Sequence, residues 1–336
     1  MTTQKDNLIY FLTKTQKELL KSLPYLLKSQ GYETVVTDKY IAGIKYTDGQ
    51  YPLIVAHLDT INTHHGSNIL STDIIFDEHS DRLCVAPWAD PKIVCLGADD
   101  RAGVTIINEL LNQHVQANVL FTTDEEIGCK GAEYIVGTKG LQELIECTSC
   151  LIQIDRGNHQ GSYHECVFYQ YDFDTNLDFL SPLAEYFDIA NGSYTDVALL
   201  GSYFNKPIVN VSAGYKNEHT RQEYVDLNVI DYVIESLFNI IYKYTQMDTT
   251  DWYYADIYDL DYLSDFDESY ADYSELDELI DMCMSVCMAT YEEIEEFITG
   301  LLETNTFLFV YNTLLYCIEN QYLFADIKEL KEYFED

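Results

Sequence analysis

The feature that constrains the fold most is an alternation, in the first 247 residues, of short apolar runs with stretches whose apolar positions recur at helical spacing. Five of the runs have the length of strands: residues 52–57, 118–122, 150–154, 166–171 and 206–211. Three stretches have the period of a helix: residues 15–28, 101–114 and 227–244. Short buried strands separated by helices predict an α/β sandwich around a mostly parallel sheet.

A change in charge divides the chain after residue 246. Residues 248–336 hold 24 acidic and two basic residues, a net charge of −22, whereas residues 1–247 hold 33 acidic and 17 basic residues, a net charge of −16. The full length of 336 residues suffices for one large domain or two ordinary ones. We therefore predict two parts, residues 1–246 and residues 247–336.

The second part is expected to be mainly helical rather than a solvated acidic tail. Residues 248–281 contain no Lys or Arg, but Trp and Tyr side chains lie among their acids, and each can bury a large ring. Four helices are predicted beyond this stretch: residues 275–290, 291–302, 307–319 and 327–334. A surface for a basic protein partner is one interpretation of this acidic region, and an ordinary negatively charged helical cap is the other.

The formal net charge of −38 argues against two classes of partner. Phosphate contacts require a basic surface, so we expect neither a nucleic acid nor an anionic membrane to bind this chain. The first twenty residues lack the apolar core of a signal peptide, and no later stretch reaches the roughly 20 apolar residues of a membrane span. Nine cysteines without a secretory signal favour reduced thiols, and we predict a cytoplasmic protein.

Residues that can hold metals or move protons are concentrated in five short segments. These are IVAHLDT (54–60), CLGADDRAGV (95–104), LFTTDEEIGCKGA (120–132), LIQIDRG (151–157) and AGYKNEHTRQEYV (213–225). Each lies where an apolar run ends, and ligand sites in open α/β sheets gather at the carboxyl ends of strands. Two histidines, His57 and His219, with carboxylates from separate loops form a donor set suited to Zn²⁺, Mn²⁺ or Co²⁺.

Taken in this order, the five segments resemble the di-zinc exopeptidases of the peptidase T and carboxypeptidase-like metallopeptidase superfamily. The resemblance lies in GADDRAG, TTDEEIG, the TDVA at 195–198 and the frame G-Y-x-x-x-H-x-x-x-E-Y-V around His219. An H-x-D or an E-E alone is common by chance, whereas five ordered motifs are specific. The resemblance extends over residues 50–240. It implies a zinc-peptidase-like three-layer sandwich with a central, mostly parallel mixed sheet.

The resemblance also implies a set of metal ligands. His57 and Asp155 would hold one Zn²⁺, and Glu126 and His219 would hold a second. Asp99 would bridge the two ions, with Mn²⁺ or Co²⁺ as possible replacements for zinc.

Further roles follow from the same resemblance. Asp59 would accept the second imidazole N–H of the first histidine ligand and so fix its tautomer. Glu125 would be the general base that takes a proton from the metal-bridging water and passes it to the leaving amine. Tyr215, Thr195 and Asp196 are candidates for contact with the substrate or its oxyanion. The bond between Asp99 and the next residue is often cis in this superfamily.

The sequence departs from peptidase T in one respect. In that relative a second α/β domain separates the last carboxylate ligand from the last histidine, whereas Asp155 and His219 are only 64 positions apart here. The lid domain is therefore absent, together with the groups that hold the C-terminal carboxylate of a substrate. The acidic C-terminal region would favour a free α-ammonium group instead.

These implications predict a co-catalytic di-zinc hydrolase of peptide or amide bonds, in the first place an aminopeptidase acting on short peptides. An N-acyl amidohydrolase or deacetylase would use the same site. An interaction protein that acts through its acidic C-terminal module is the third interpretation. The oligomeric state is left open.

Four further residues near the motifs are expected to have no chemical role. His64 and His65 follow the first motif and are predicted to lie in a solvated loop. Cys147 and Cys150 form a lone C-x-x-C, and without a second such pair they are expected to be buried thiols.

Overall fold

The structure, a computed structural model, describes residues 3–157, 167–170, 177–191, 195–250, 252–253, 294, 297–298 and 328. The chain divides into two compact units, residues 1–258 and 259–336. In the second unit residues 294, 297, 298 and 328 are helical, and the first three are buried. The rest of the four predicted C-terminal helices lies outside the described residues. The predicted division after residue 246 stays a prediction.

The described residues of the first unit form two β-sheets. Its described strands, numbered in chain order, are β1 (Glu33–Val36), β2 (Tyr40–Ile44), β3 (Tyr51–His57), β4 (Ile74–Asp77), β5 (Arg82–Val85), β6 (Asn118–Thr122), β7 (Thr148–Arg156), β8 (Val167–Gln170), β9 (Asp188–Asn191), β10 (Ile208–Ser212), β11 (Tyr215–Lys216) and β12 (Tyr224–Asp226). The large sheet has the order β1-β2-β6-β3-β7-β10-β8-β9. Its four central strands, β6, β3, β7 and β10, are parallel neighbours, so the sheet is mixed and mostly parallel, as predicted.

The central strands are buried on both faces. In β3, Ile54 and Ala56 belong to one hydrophobic cluster, while Leu53 and Val55 belong to another. Successive side chains of a strand point to opposite faces, so a continuous apolar run is what a doubly covered strand requires. Pro52 has no N–H to donate, and the pairing of β3 with β7 is irregular at that position.

Helices cover both faces of the sheet. They are α1 (Gln4–Leu12), α2 (Gln16–Ser29), α3 (Ile61–His64), α4 (Ala98–Asn112), α5 (Lys130–Thr138), α6 (Gln142–Glu146), α7 (Leu177–Ala184), α8 (Asp196–Phe204) and α9 (Leu227–Tyr244). Residues of α1, α2, α4, α7 and α9 line one cluster, and residues of α5, α6 and α8 line the other. The fold is thus the three-layer α/β sandwich that the resemblance implied. Within the described part of the chain, every helix is too short or too polar for a membrane span.

The predicted elements of the first unit are confirmed, with small shifts at their ends. The second helix begins after Thr15, whose hydroxyl accepts the backbone N–H of Glu18 while the Glu18 carboxylate accepts from Thr15. This capping box fixes the start of the amphipathic stretch. Thr3 and Asp6 form a second capping box at α1, a helix that the sequence analysis missed.

A small antiparallel sheet, with the order β11-β12-β5-β4, was also not predicted. Its strands have two to four residues, too few for a clear alternation of apolar and polar positions. β11 and β12 flank the loop that carries His219, so this sheet supports one side of the candidate site.

Candidate metal centre

The site lies where parallel strands of the large sheet end. His57 is the last residue of β3, Asp155 lies near the end of β7, and Glu125 and Glu126 follow β6. Because these strands are neighbours that run in one direction, their carboxyl ends meet at one edge of the sheet. His219 reaches the same place from the loop between β11 and β12.

Asp99 lies between the two histidines. Its Oδ1 is 3.0 Å from Nε2 of His57, and its Oδ2 is 3.2 Å from Nε2 of His219. The same nitrogen of His219 is 2.9 Å from Oε2 of Glu126, and that of His57 is 3.3 Å from Oδ1 of Asp155. The structure therefore brings all five predicted ligands together, with one carboxylate shared between two His–carboxylate pairs.

The loop that carries Asp99 is held by a buried carboxylate. Gly97 adopts a left-handed conformation with φ of +77°, which favours glycine, and α4 begins directly after it. The backbone N–H groups of Gly97 and Asp99 donate to the two oxygens of Glu223 at 2.7 and 3.0 Å. The peptide bond between Asp99 and Asp100 is cis. Glu223 thus fixes the backbone on which the central carboxylate stands.

Asp59 connects three of the motifs and is fully buried. Its Oδ1 accepts from Nδ1 of His57 at 3.2 Å and from the backbone N–H of Glu125 at 3.0 Å. Its Oδ2 accepts from the backbone N–H of Glu126 at 3.1 Å and lies 2.8 Å from Nε2 of His64. His64 is exposed at the end of the short helix α3, and its ring also contacts the carboxylate that orients the first histidine.

Thr195 links two carboxylates at the centre of the site. Its hydroxyl lies 3.2 Å from Oε1 of Glu125 and 3.1 Å from Oδ2 of Asp155. Asp155 also accepts from the side-chain amide of Gln153 at 2.8 Å and from the hydroxyl of Tyr215 at 3.2 Å. Thr195 and Tyr215 are both almost fully buried, and their recorded hydrogen bonds are to protein carboxylates.

Asp196 is fully buried beside the same group. Its Oδ2 accepts a hydrogen bond from the hydroxyl of Thr122, and its Oδ1 has no partner among the described residues. Burial raises the pKa of Asp196 to about 7. The carboxyl group therefore holds its proton at a pH where an exposed aspartate would have lost it.

Negative charge dominates the site. Burial lowers the pKa of His57 and His219, but the nearby carboxylates outweigh it: the pKa of His57 lies well above its usual value, and that of His219 is raised to about 11. Burial raises the pKa of Glu126 to about 7, that of Glu223 to about 8 and that of Glu125 well above its usual value. Both effects mean that this cluster of acids calls for compensating positive charge.

The residues present fit divalent cations. Imidazole nitrogens and carboxylate oxygens are the ligands that Zn²⁺ takes in catalytic sites. Three trios of described residues have ligand atoms within 4.8 Å of one another, and two of them contain predicted ligands: His57 with Asp99 and Glu126, and His57 with Asp100 and Asp155. Oε1 of Glu126 is buried and has no hydrogen-bond partner among the described residues, which leaves it available to a cation.

Sequence reasoning missed two residues that support the site. Asp100 is fully buried and accepts from the backbone N–H groups of His57 and Gly103 at 3.1 and 2.9 Å. Arg101 is buried, and its guanidinium donates to the backbone oxygens of Leu58 and Lys14. Both lie within the quoted GADDRAG motif, and a charge inside an otherwise small and apolar stretch was the available signal.

The prediction for the two cysteines is confirmed, and a nearby glycine has a packing role. Cys147 and Cys150 are buried and free, as expected of core thiols. Gly103, in the same motif as Asp99, has no room for a side chain, because a Cβ there would overlap the backbone oxygen of Ile154. Glycine at this position lets α4 lie directly against β7 and so sets the distance between Asp99 and Asp155.

Comparisons with known proteins find similarity in part of the sequence and in the fold. No protein-family model matches the sequence. Among curated proteins, peptidase T of Geobacillus thermodenitrificans (strain NG80-2) is 29% identical over 166 residues, which cover 39% of this chain and 40% of that protein. The chain thus spans about two fifths of the length of this relative.

Solved structures show the same fold at low sequence identity. Aminopeptidase PepT from Bacillus cereus ATCC 10987 matches with a TM-score of 0.53 and 12% identity, over 72% of this chain and 99% of that one. A tripeptidase from Staphylococcus aureus subsp. aureus Mu50 matches with a TM-score of 0.52 and 12% identity, over 73% and 98%. PhTET1-12s, a dodecamer in its asymmetric unit, matches with a TM-score of 0.51 and 13% identity, over 71% and 99%. In fold this chain is similar to these solved structures, and over 39% of its length its sequence is similar to that of a peptidase T.

Proposed function

We propose that this chain is a metal-dependent hydrolase of peptide bonds, an aminopeptidase that acts on short peptides. The observation that supports it best is the position of Asp99, whose two oxygens face the Nε2 atoms of His57 and His219 at 3.0 and 3.2 Å. A carboxylate shared by two imidazole–carboxylate pairs is the arrangement that two neighbouring cations require.

In this proposal two Zn²⁺ ions occupy the site, with Mn²⁺ or Co²⁺ as substitutes. His57 and Asp155 would hold one ion, Glu126 and His219 would hold the other, and Asp99 would serve both. When bound, the ions polarise the substrate carbonyl and make water acidic enough to attack at neutral pH.

Glu125 is the proposed general base. Its backbone N–H is fixed on Asp59 at 3.0 Å, and its side chain lies beside Thr195 and Asp155. Glu125 accepts a proton from the attacking water as the new C–O bond forms. It then delivers that proton to the amine nitrogen as the C–N bond breaks, so that the products are an acid and a free amine.

Asp59 has an orienting part in the proposal. Its Oδ1 accepts from Nδ1 of His57 at 3.2 Å, so that Nε2, which is directed at Asp99 and Asp155, would be free to bind a cation once its proton has left. A ligating histidine needs its other ring nitrogen fixed in this way. The contacts predicted between the substrate and Tyr215, Thr195 and Asp196 stay predictions.

The choice of an aminopeptidase rests on the relatives and on charge. The B. cereus and S. aureus proteins of the same fold are an aminopeptidase and a tripeptidase. In this chain the formal charge of −38 favours a substrate end that carries a free ammonium group. We place the enzyme in the cytoplasm, where the five free cysteines of the described residues would stay reduced.

Replacement of the base tests the proposal. Glu125→Gln should lower kcat on free tripeptides by at least about 100-fold while the metal content stays near that of the parent. Glu133→Gln is the matched control, because Glu133 lies eight positions along, is exposed and pairs with Lys130. Retained turnover in Glu125→Gln with bound metal would refute the assigned base, and a metal-loaded parent inactive on every peptide would refute the function.

The two other interpretations predict different results in the same assays. A preference for N-acetylated dipeptides over free ones would identify an N-acyl amidohydrolase. Removal of residues 259–336, the second compact unit, tests the acidic module without removing Trp252, which is buried against Phe179 and Tyr244. Unchanged hydrolysis with loss of a basic protein partner would assign the binding role to that unit.

A further inference from the structure

We propose that Thr195 and Cys129 are positioning residues for the side chain of Glu125. They hold one of its oxygens, Oε1, and thereby direct the other, Oε2, to the proton that Glu125 transfers from the attacking water to the leaving amine. The inference rests on the proposed function of Glu125 as the general base. It assigns to Cys129 a part that no motif suggested, and to Thr195 a contact with the base in place of a contact with the substrate.

Two donors from different elements reach the same oxygen of Glu125. The hydroxyl of Thr195, at the start of α8, lies 3.2 Å from Oε1. The thiol of Cys129, at the start of α5, lies 3.7 Å from the same atom. Among the described residues, no hydrogen-bond donor reaches Oε2. The carboxylate is therefore held at one oxygen and open at the other.

The hydroxyl of Thr195 carries a single proton, so it can serve only one of its two carboxylate neighbours at a time. Oδ2 of Asp155 already accepts the side-chain amide of Gln153 at 2.8 Å, and Oδ1 accepts the hydroxyl of Tyr215 at 3.2 Å. Glu125 has no donor besides Thr195 and the weaker thiol among the described residues. A hydrogen bond stabilises a carboxylate more when that carboxylate accepts few others. The hydroxyl of Thr195 is therefore expected to donate to Glu125.

The backbone around Cys129 is folded to bring the thiol over the base. The N–H groups of Gly128 and Cys129 donate to the backbone oxygen of Glu125 at 2.9 and 2.8 Å, closing a tight turn. Cys129 has φ of 51° and ψ of 39°, a left-handed conformation that Gly, Asn and Asp adopt far more readily than Cys. The turn and the conformation together place Sγ beside the Glu125 side chain, and Cys129 is buried there.

Fixing one oxygen matters because proton transfer depends on geometry. A half-exposed glutamate that rotates freely about its last torsion spends much of its time with neither oxygen in line with the proton. Donors at Oε1 remove that freedom, and they leave the binding of the substrate unchanged. The expected signature is a change in kcat without a change in KM.

Substitutions at both positions test the inference in the full-length, metal-loaded protein. Thr195→Val, which keeps the shape and removes the donor, should lower kcat on a free tripeptide by about 10–100-fold with unchanged KM and metal content. Thr195→Ser should restore most of the rate. Cys129→Ala should lower kcat by about two- to fivefold, because a thiol is a weak donor. Thr148→Val is the control: its buried hydroxyl donates to the backbone oxygen of Leu144, and its kcat should match the parent.

Three results would overturn the inference. A raised KM with unchanged kcat in Thr195→Val would mean that the hydroxyl contacts the substrate. A loss of metal in that variant would mean that its proton serves Asp155. Unchanged kinetics would mean that Glu125 needs no anchor.

An activity-independent measurement separates this inference from the proposed function. Crystal structures of the parent and of Thr195→Val should show Oε1 of Glu125 beside Thr195 and Cys129 in the first and a rotated carboxylate in the second. The same carboxylate orientation in both crystals would refute the anchor even if the parent hydrolyses no peptide at all.

Discussion

The two histidines of the site stand in different surroundings. His57 is the last residue of a central strand. Its side chain is 1% exposed and contacts Asp59, Asp99 and Asp155. The side chain of His219 is 48% exposed and lies in the loop between two of the shortest strands. The strands on either side of His57 are parallel and buried, whereas β11 and β12 belong to the small antiparallel sheet.

The contrast divides the site into two halves. The firm half contains His57 and Asp155, and the adaptable half contains Glu126 and His219. His57 is held by its hydrogen bond to Asp59, and Asp155 by hydrogen bonds from Gln153 and Tyr215, so little order remains to be gained when a cation binds. His219 contacts the carboxylates of Asp99 and Glu126, and about half of its side chain is exposed to solvent. We therefore expect the His57 half to hold its ion more tightly and the His219 half to exchange ions and admit substrate.

The largest expected effect comes from removing one histidine at a time. His57→Ala should abolish hydrolysis and also lower the thermal stability of the protein, because Asp59, Asp99 and Asp155 would lose a buried partner. His219→Ala should lower kcat/KM by at least about 100-fold, with little change in thermal stability. This loss exceeds the loss that follows when a residue that only orients a metal ligand is replaced. Kinetics and thermal melts of both variants check this. Equal loss of stability in the two variants would contradict the contrast.

A chelator should separate the two halves next. Dialysis of the metal-loaded parent against increasing concentrations of a mild chelator should remove metal in two steps, with a plateau near one ion per chain. His219→Ala should bind a single ion with the affinity of the tighter step. Metal content by plasma mass spectrometry gives both numbers, and a single cooperative loss of both ions would show that the halves do not differ.

Asp59→Asn should weaken metal binding at the His57 half by about 10–100-fold, the range typical of carboxylates that orient a ligating histidine. The amide can donate where the carboxylate could only accept, so it no longer favours Nδ1–H of His57. Asp124→Asn is the matched control, since Asp124 lies near His64 but pairs with Lys39 at 3.0 Å. Titration calorimetry measures both affinities. If Asp59→Asn weakened only the lower-affinity binding step, the assignment of Asp59 to the His57 half would be wrong.

The sequence predicted the firm half of the site better than the adaptable half. His57, Glu126 and Asp155 each follow or end a continuous apolar run, so periodicity alone places them at the carboxyl ends of buried strands. His219 lies farther from such a run, in the loop between β11 and β12, which have only two and three residues. Its assignment came from the order of the motifs and from the resemblance.

The supporting contacts could not be predicted because they either join residues far apart in sequence or depend on an unusual backbone conformation. Glu223 accepts from the N–H groups of Gly97 and Asp99, more than 120 positions away. Cys129 reaches Glu125 only because its backbone turns left-handed after Gly128. Neither contact leaves a periodic or compositional trace in the chain.

The smallest expected effect is a dependence of stability on pH in the metal-free protein. Burial raises the pKa of Asp196 from 3.8 to about 7 and that of Glu223 from 4.5 to about 8. Between the ordinary and the raised values the folded protein keeps protons that the unfolded chain has lost, so the free energy of unfolding falls as pH rises. The raised pKa of His219, about 11 against 6.5, acts in the same direction above pH 6.5.

The melting temperature of the chelated protein should therefore drop by at least about 4 °C between pH 5 and pH 8. Bound cations supply the missing positive charge, so the metal-loaded protein should show a weaker slope. Asp196→Asn should flatten the slope, whereas Asp77→Asn should not, because Asp77 is exposed and its pKa is lowered by hydrogen bonds from Ser80 and His79. If Asp196→Asn left the slope unchanged, a group other than Asp196 would be responsible for the pH dependence. If the melting temperature rose with pH instead, the buried acids of both halves would already be ionised without metal.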